Sequence, residues 1–184
     1  IVAKYGADTL RLYEMFMGPF DQAIAWSEDS LQGCYRFLNR TWQLFENNIK
    51  DKLTPPKLLR KLHQTIKKVS QDLDGLKFNT MVAALMEFIN DWQKEYLSQQ
   101  DAEIFVRLLA PSAPHFSEEV WTQLFKKDFS VHRQKWPEYE EKLVGEEITT
   151  IVIQVNGRVR GQVKIKNREL NNEESVAGLA KKDP

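Results

Sequence analysis

Two prolines three residues apart, Pro111 and Pro114, constrain this chain more than any other feature. A proline cannot donate the helical hydrogen bond and its ring clashes with the preceding turn, yet its fixed φ suits the first position of a helix. The run Leu108-Leu109-Ala110-Pro111-Ser112-Ala113-Pro114-His115-Phe116-Ser117-Glu118-Glu119-Val120-Trp121 therefore predicts a helix stopped by Pro111, a tight corner, and a second helix begun at Pro114. Glu118 and Glu119 fall in the first turn of the second helix, where its dipole favours acids. Val120, Trp121, Leu124 and Phe125 give it a buried side. Helices on both sides of the corner can then share one core, and the corner sets the angle of a bundle.

The rest of the first three-quarters of the chain reads the same way. Asp8 or Thr9 caps a short helix that ends at Gly18-Pro19. Ser27, followed by Glu28 and Asp29, is an N-cap with acids in the first turn, and the helix it opens runs to about Asn48. Leu31, Tyr35, Leu38, Trp42, Phe45 and Ile49 recur on it at steps of three or four, a core stripe. Thr54-Pro55-Pro56 opens a third helix with Leu59, Leu62, Ile66, Val69 and Leu73 on one face, broken at Asp74-Gly75. Asn79-Thr80 caps a fourth, carrying Met81, Leu85, Phe88, Ile89, Trp92 and Tyr96, and Asp101 starts the fifth, which reaches the proline corner. The reading is a mainly α protein, an antiparallel helical bundle with short joins.

The pattern changes after Trp136-Pro137. An acidic connector, 138–147, leads to two β-rich runs, Ile148–Val155 and Arg158–Ile165, separated by Asn156-Gly157, a hairpin signal. A two-residue loop would place Val155 opposite Arg158 and mix Ile151 and Ile153 with Arg160 and Lys164. A three-residue loop, Val155 to Gly157 with Gly157 left-handed and a bulge, puts Ile151, Ile153, Val159, Val163 and Ile165 on one face. Arg158, Arg160, Gln162, Lys164 and Lys166 then share the other. A helix-like stretch follows at Glu173–Lys182 with no further strand, so this part reads as a truncated α+β domain led by a β-hairpin.

Charge adds the functional lead. Lys plus Arg and Asp plus Glu both number 26, so the overall balance points to neither nucleic acid nor membrane. The balance is uneven, however: residues 31–70 hold nine basic and two acidic side chains, and residues 148–170 hold five and one. Arg36 and Arg40 lie one helical turn apart and can hold adjacent phosphates, and Lys57, Arg60, Lys61, Lys67 and Lys68 extend the first zone. Arg158, Arg160, Lys164 and Lys166 form the second, a strip that follows a phosphate backbone without reading bases. The competing readings are a solvated helix face for the first and an edge protected from aggregation for the second.

Other chemistry is weak. Cys34 is the sole cysteine and reads as a small buried apolar residue in a reducing, cytoplasmic-type compartment. His115 with Glu118 and Glu119 lacks a third ligand, so a structural role is expected and no metal site. Trp42, Trp92 and Trp121, at helical spacing among Leu and Phe, are expected in the core, and Trp136 beside Pro137 partly exposed. No apolar run is long enough to span a membrane. The first residue is Ile1, and the chain reads as a piece of a longer protein.

The corner Leu-Ala-Pro-Ser-Ala-Pro-His-Phe-Ser-Glu-Glu-Val-Trp resembles the helical domain that follows the catalytic core in class I aminoacyl-tRNA synthetases for leucine, isoleucine, valine and methionine. The opening Tyr5-Gly6-Ala7-Asp8-Thr9-Leu10-Arg11-Leu12-Tyr13-Glu14-Met15-Phe16-Met17-Gly18-Pro19 is similar to the segment after the KMSKS loop of the leucine enzymes. Trp26-Ser27, Arg36-Phe37-Leu38-Asn39-Arg40-Thr41-Trp42 and Trp136-Pro137 fit the same family. Val155-Asn156-Gly157-Arg158-Val159-Arg160-Gly161-Gln162 resembles the start of the C-terminal domain in its bacterial-type members.

The resemblance implies three parts: 1–26, the tail of the connection after the catalytic core; 27–145, a tRNA-binding bundle; and 147–184, the truncated C-terminal domain. It implies a parent enzyme joining leucine to tRNA with ATP and magnesium, and a cytoplasmic monomer whose partner is leucine tRNA. The HIGH and KMSKS motifs and the editing domain lie outside this sequence, so the fragment is expected to hold no cofactor, to lack catalytic residues and to position tRNA. Two alternatives stand beside it: the matching region of an isoleucine, valine or methionine enzyme that reads the anticodon, and a helical scaffold that binds protein and no RNA.

Overall fold

Ser27 begins a helix as its sequence predicts: its hydroxyl accepts the N–H of Ser30 at 3.3 Å, one of the donors that a helix start leaves unpaired. In the computed structural model, which describes residues 1–19, 22, 25–145, 148–155 and 158–166, this helix is the third. The elements in order are α1 (Val2–Tyr5), α2 (Ala7–Phe16), α3 (Glu28–Asn47), α4 (Pro56–Asp74), α5 (Phe78–Trp92), α6 (Gln99–Leu109) and α7 (Pro114–Glu119). A π-helical turn (Val120–Leu124) continues α7, and a 3₁₀ turn (Val131–Arg133) follows. The last elements are α8 (Glu141–Val144), β1 (Ile148–Val155) and β2 (Arg158–Lys166). The chain divides into two compact units, Ile1–Glu140 and a second beginning at Glu141.

The first unit is all helical. Its α5 packs against α2, α3 and α4, and α6 packs against α4 and the residues after the proline corner. Leu12 and Tyr13 of α2 belong to the same buried cluster as the later helices, so residues before Ser27 share the bundle's core. At its centre Phe88 lies 4.8 Å from Phe105, and Trp92 stands edge-on to Phe45 at 5.1 Å. Such offset and edge contacts suit the charge distribution of aromatic rings. Trp92 is wholly buried, and its indole N–H donates to the Asn48 carbonyl.

The corner forms as expected. α6 stops at Leu109, two residues before Pro111, and Pro114 takes the first position of α7. Leu108, Leu109, Val120 and Trp121 all reach the core.

Several local expectations give way to others. Asp8 and Thr9 do not cap their own helix: Gly6, at φ 85°, precedes α2, and Asp8 is buried against another element. The fifth long helix starts at Gln99 rather than Asp101, capped by Ser98, whose hydroxyl accepts the Asp101 N–H and donates to its carboxylate. Asn79 and Thr80 lie inside α5, which begins without a side-chain cap. On α3 the buried stripe includes Cys34, Phe37, Thr41 and Leu44, while Tyr35 is exposed and Trp42 half-buried; Ile49, half-buried, lies beyond the helix end at Asn47. On α4, Leu58 is buried and Leu59 only partly so.

The end of α4 is closed by an arrangement the Asp-Gly pair did not foretell. Gly75 has an ordinary negative φ, and Leu76 takes the left-handed conformation at φ 54°. The Leu76 N–H donates to the Leu73 carbonyl and the Lys77 N–H to that of Asp72, the paired bonds of a Schellman turn.

In the second unit β1 and β2 pair antiparallel. Val155 lies opposite Arg158 and Gln154 opposite Val159, and beyond them Ile153 pairs with Gly161 and Ile151 with Val163. The irregularity is thus a bulge inside the strand pair, with Arg160 as the extra residue, and Val155 belongs to the strand rather than to a three-residue loop. One inserted residue anywhere along the strand restores the alignment of Ile151 with Val163, so the pattern alone did not locate it. Val159, placed by the sequence with Ile151 and Ile153, pairs with Gln154 instead. The expected left-handed Gly157 and the helix at Glu173–Lys182 lie outside the described residues.

Candidate nucleic-acid interface

Arg36 and Arg40 are held on the exposed face of α3 because Phe37 and Leu38, between them, turn into the core. A helix repeats every 3.6 residues, so the two guanidiniums share one side of it. With Gly33, Asn39 and Gln43 they line a shallow depression of about 440 Å³. Among the described residues neither arginine has an ion-pair partner. Two cations facing solvent without an acid nearby are suited to adjacent phosphates.

The α4 cations differ. Lys57, Arg60 and Lys61 line a separate depression of about 250 Å³ whose other wall carries Asp91 of α5 and Glu95 just after it. Lys61 pairs with Glu87 at 3.4 Å. Lys68 pairs with Asp72 at 2.7 Å, and the Lys67 ammonium stands 5.2 Å from the Tyr139 ring centre. Lys61 and Lys68 thus face acids of the protein and Lys67 an aromatic ring, which sets them apart from Arg36 and Arg40.

On β2, Lys164 lies opposite Thr150 and Lys166 opposite Ile148, whereas Arg158 lies opposite Val155 and Arg160 is the extra residue of the bulge. The expected unbroken line of these four cations is interrupted in register at the bulge.

Beside the arginine pair lies a feature the sequence did not announce. Tyr5, Tyr35, Trp42 and Phe116 surround a pocket of about 370 Å³, with Asn39 common to it and to the arginine depression. Tyr5 meets Tyr35 edge-on at 5.6 Å, and Trp42 meets Phe116 edge-on at 5.8 Å. Trp42, expected in the core with Trp92 and Trp121, lies at its margin, since α3 presents Thr41, Leu44 and Phe45 inward instead. A hint was available in the spacing of Tyr35, Asn39 and Trp42, which share a helical face.

Among the described residues no group of three His, Cys, Asp or Glu is placed to hold an ion. His115 bonds the Asp8 carboxylate through Nδ1 at 2.8 Å, and Glu118 receives the Ser130 hydroxyl and the Val131 N–H. Cys34 is buried, and that burial pushes its thiol up to about 11. No described helix is long and apolar enough to cross a membrane.

The first unit is a helical bundle, and comparison with known proteins shows its class: an anticodon-binding domain of the tRNA-ligase type. Residues 56–176 match the model of the anticodon-binding domain of tRNA ligase, and the chain belongs to that family. Among solved structures it is similar to the Agrobacterium radiobacter K84 agnB2 LeuRS, in the crystal structure of its ternary complex with tRNA and LeuAMS. The TM-score is 0.78 and the identity 28%, over 96% of this chain. The chain spans 25% of the length of that protein.

Proposed function

We propose that the chain is the tRNA-positioning region of a bacterial-type leucyl-tRNA synthetase. The observation that carries the reading is the near end-to-end likeness to a LeuRS solved with tRNA, together with the unpaired Arg36 and Arg40 on α3. The parent enzyme would join leucine to leucine tRNA with ATP and magnesium, in the cytoplasm and as a monomer, through catalytic parts beyond this sequence. Here 1–26 would be the segment that follows the catalytic core, with its α2 packed into the bundle of 27–145, and 147–184 the start of a small α+β domain. Arg36 and Arg40 engage tRNA phosphates first. Lys57, Arg60 and Lys61, and Arg158, Arg160, Lys164 and Lys166, are further contacts.

Gel-shift titration with leucine tRNA tests this. Binding that weakens steeply with salt is expected, because phosphate contacts release counterions. Absence of tRNA binding at low salt would reject the reading and favour a protein-binding scaffold. A second reading, the equivalent region of an isoleucine, valine or methionine enzyme, draws on the family's description as anticodon-binding. A large loss of affinity when the anticodon of leucine tRNA is altered would favour it.

A further inference from the structure

We propose that the pocket between α2, α3 and α7 takes one unstacked base of the bound RNA, while Arg36 and Arg40 hold the phosphates next to it. The inference rests on the tRNA-binding reading above and adds a base-recognition site to it.

Three observations carry it. First, the pocket is aromatic on two sides: Tyr5 with Tyr35, and Trp42 with Phe116, each pair meeting edge to face. An edge-to-face pair leaves both faces of one ring uncovered by its partner, and an RNA base set free of its helix stacks on such faces. Secondly, polar groups are available there. The Asn39 carboxamide and the Trp42 indole N–H form no hydrogen bond among the described residues, although Asn39 is exposed and Trp42 only half-buried. A carboxamide offers both donor and acceptor to a base edge. Thirdly, Asn39 lines both the pocket and the depression of Arg36 and Arg40, so a base and its own phosphates fit side by side along α3.

Charge selects the occupant. The one carboxylate lining the pocket, Asp8, is taken up by the Phe116 N–H and His115. Of the cations beside the pocket, Lys4, 4.7 Å from the Tyr5 ring centre, faces Glu28, whereas Arg36 and Arg40 have no acid partner among the described residues. An anionic chain carrying flat apolar rings satisfies both halves of the surface, and single-stranded RNA is such a chain.

The test uses the full chain and three probes: leucine tRNA, a single-stranded oligoadenylate, and an abasic ribose-phosphate oligomer of equal length. The oligoadenylate is expected to bind about tenfold or more tightly than the abasic oligomer, as stacking adds to phosphate contact. Tyr35→Ala, at an exposed position that lines the pocket but not the arginine depression, is expected to erase that difference while leaving abasic binding unchanged. Arg36→Glu with Arg40→Glu is expected to weaken both oligomers equally.

Equal affinity of wild type for the two oligomers, or a difference that survives in the Tyr35 variant, would overturn the pocket proposal. So would tRNA binding with no binding of either oligomer, which leaves the tRNA reading standing. Failure of tRNA itself to bind overturns both. Circular dichroism of the variants confirms that the helical content is intact.

Discussion

The carboxylate of Asp8 accepts the backbone N–H of Phe116 at 2.6 Å, across 108 residues of chain. Phe116 is the third residue of α7, one of the donors that a helix start leaves unpaired, and Ala113 before it has no side chain with which to cap. The same carboxylate receives Nδ1 of His115 at 2.8 Å, and because a carboxylate only accepts, that nitrogen carries the proton. Three residues further along α2, Arg11 donates from Nε to the Pro111 carbonyl at 2.9 Å. The corner is thus capped and clamped by a helix from the far end of the chain.

Replacing Asp8 by Ala is therefore expected to destabilise the first unit by about 2–3 kcal/mol, the range for a buried charge-assisted bond and cap removed together. His115→Ala should cost less than about 1 kcal/mol, since the His115 side chain is 79% exposed. Urea denaturation of the two variants checks the difference. Similar losses would show that the imidazole, not the Phe116 N–H, is the partner that counts.

Among the cations, the intramolecular pairs set a ranking. Arg36→Ala or Arg40→Ala is expected to weaken tRNA binding about tenfold at low salt and to reduce the salt slope by roughly 0.7–0.9 per lost phosphate contact. Lys61→Ala and Lys68→Ala, whose ammonium groups already face Glu87 and Asp72, should change affinity by less than about threefold. Filter binding across a salt series distinguishes the sites, and the reverse order would move the interface from α3 to α4.

Leu76 closes α4 in the left-handed region and is 51% exposed, so its side chain gains little there. Leu76→Gly is expected to stabilise the protein by about 0.5–1 kcal/mol: relief of the left-handed strain outweighs the extra freedom glycine brings to the unfolded chain. Thermal denaturation reads the sign directly. A lower midpoint would mean that the Leu76 side chain contributes more by packing than its backbone costs.

Cys34 gives a pH dependence. Burial raises its thiol from an ordinary value near 9 to about 11, so below pH 9 both folded and unfolded chains hold the proton and stability is at its full value. Between pH 9 and 11 the unfolded chain loses the proton and the folded one keeps it, so stability drains by roughly 2 kcal/mol. Chemical denaturation of wild type and Cys34→Ala at pH 8 and pH 11 is expected to show the smaller alkaline loss in the variant. In native protein at pH 8 the thiol should resist a thiol reagent that labels it at once in urea.

Much of the bundle is legible in the sequence alone, for a reason visible in particular residues. Pro111, Pro114 and Ser27 act on backbone groups within one turn of themselves, so their effects do not wait for packing. Ser98 with Asp101 is an equally local capping pair, in which the serine rather than the acid precedes the helix. On α3 the period was right and the phase was not. Leu31, Leu38 and Phe45 are buried, but Cys34, Phe37 and Leu44 complete the stripe in place of Tyr35 and Trp42. Several apolar arcs fit one periodic sequence, and the neighbouring helices choose among them.

By itself, the sequence determined where helices start and stop around prolines and Ser27, the apolar spacing that demands a bundle, and the two zones of excess positive charge. It also carried the family. Tertiary structure decided how individual groups are used. Asp8 caps α7 rather than α2, Lys61 and Lys68 are spent on acids while Arg36 and Arg40 are not, and Trp42 opens onto a pocket instead of closing into the core. The division follows from range. Caps and prolines work through bonds a few residues long, whereas the partner of a carboxylate or a guanidinium depends on the packing angle of helices remote in sequence.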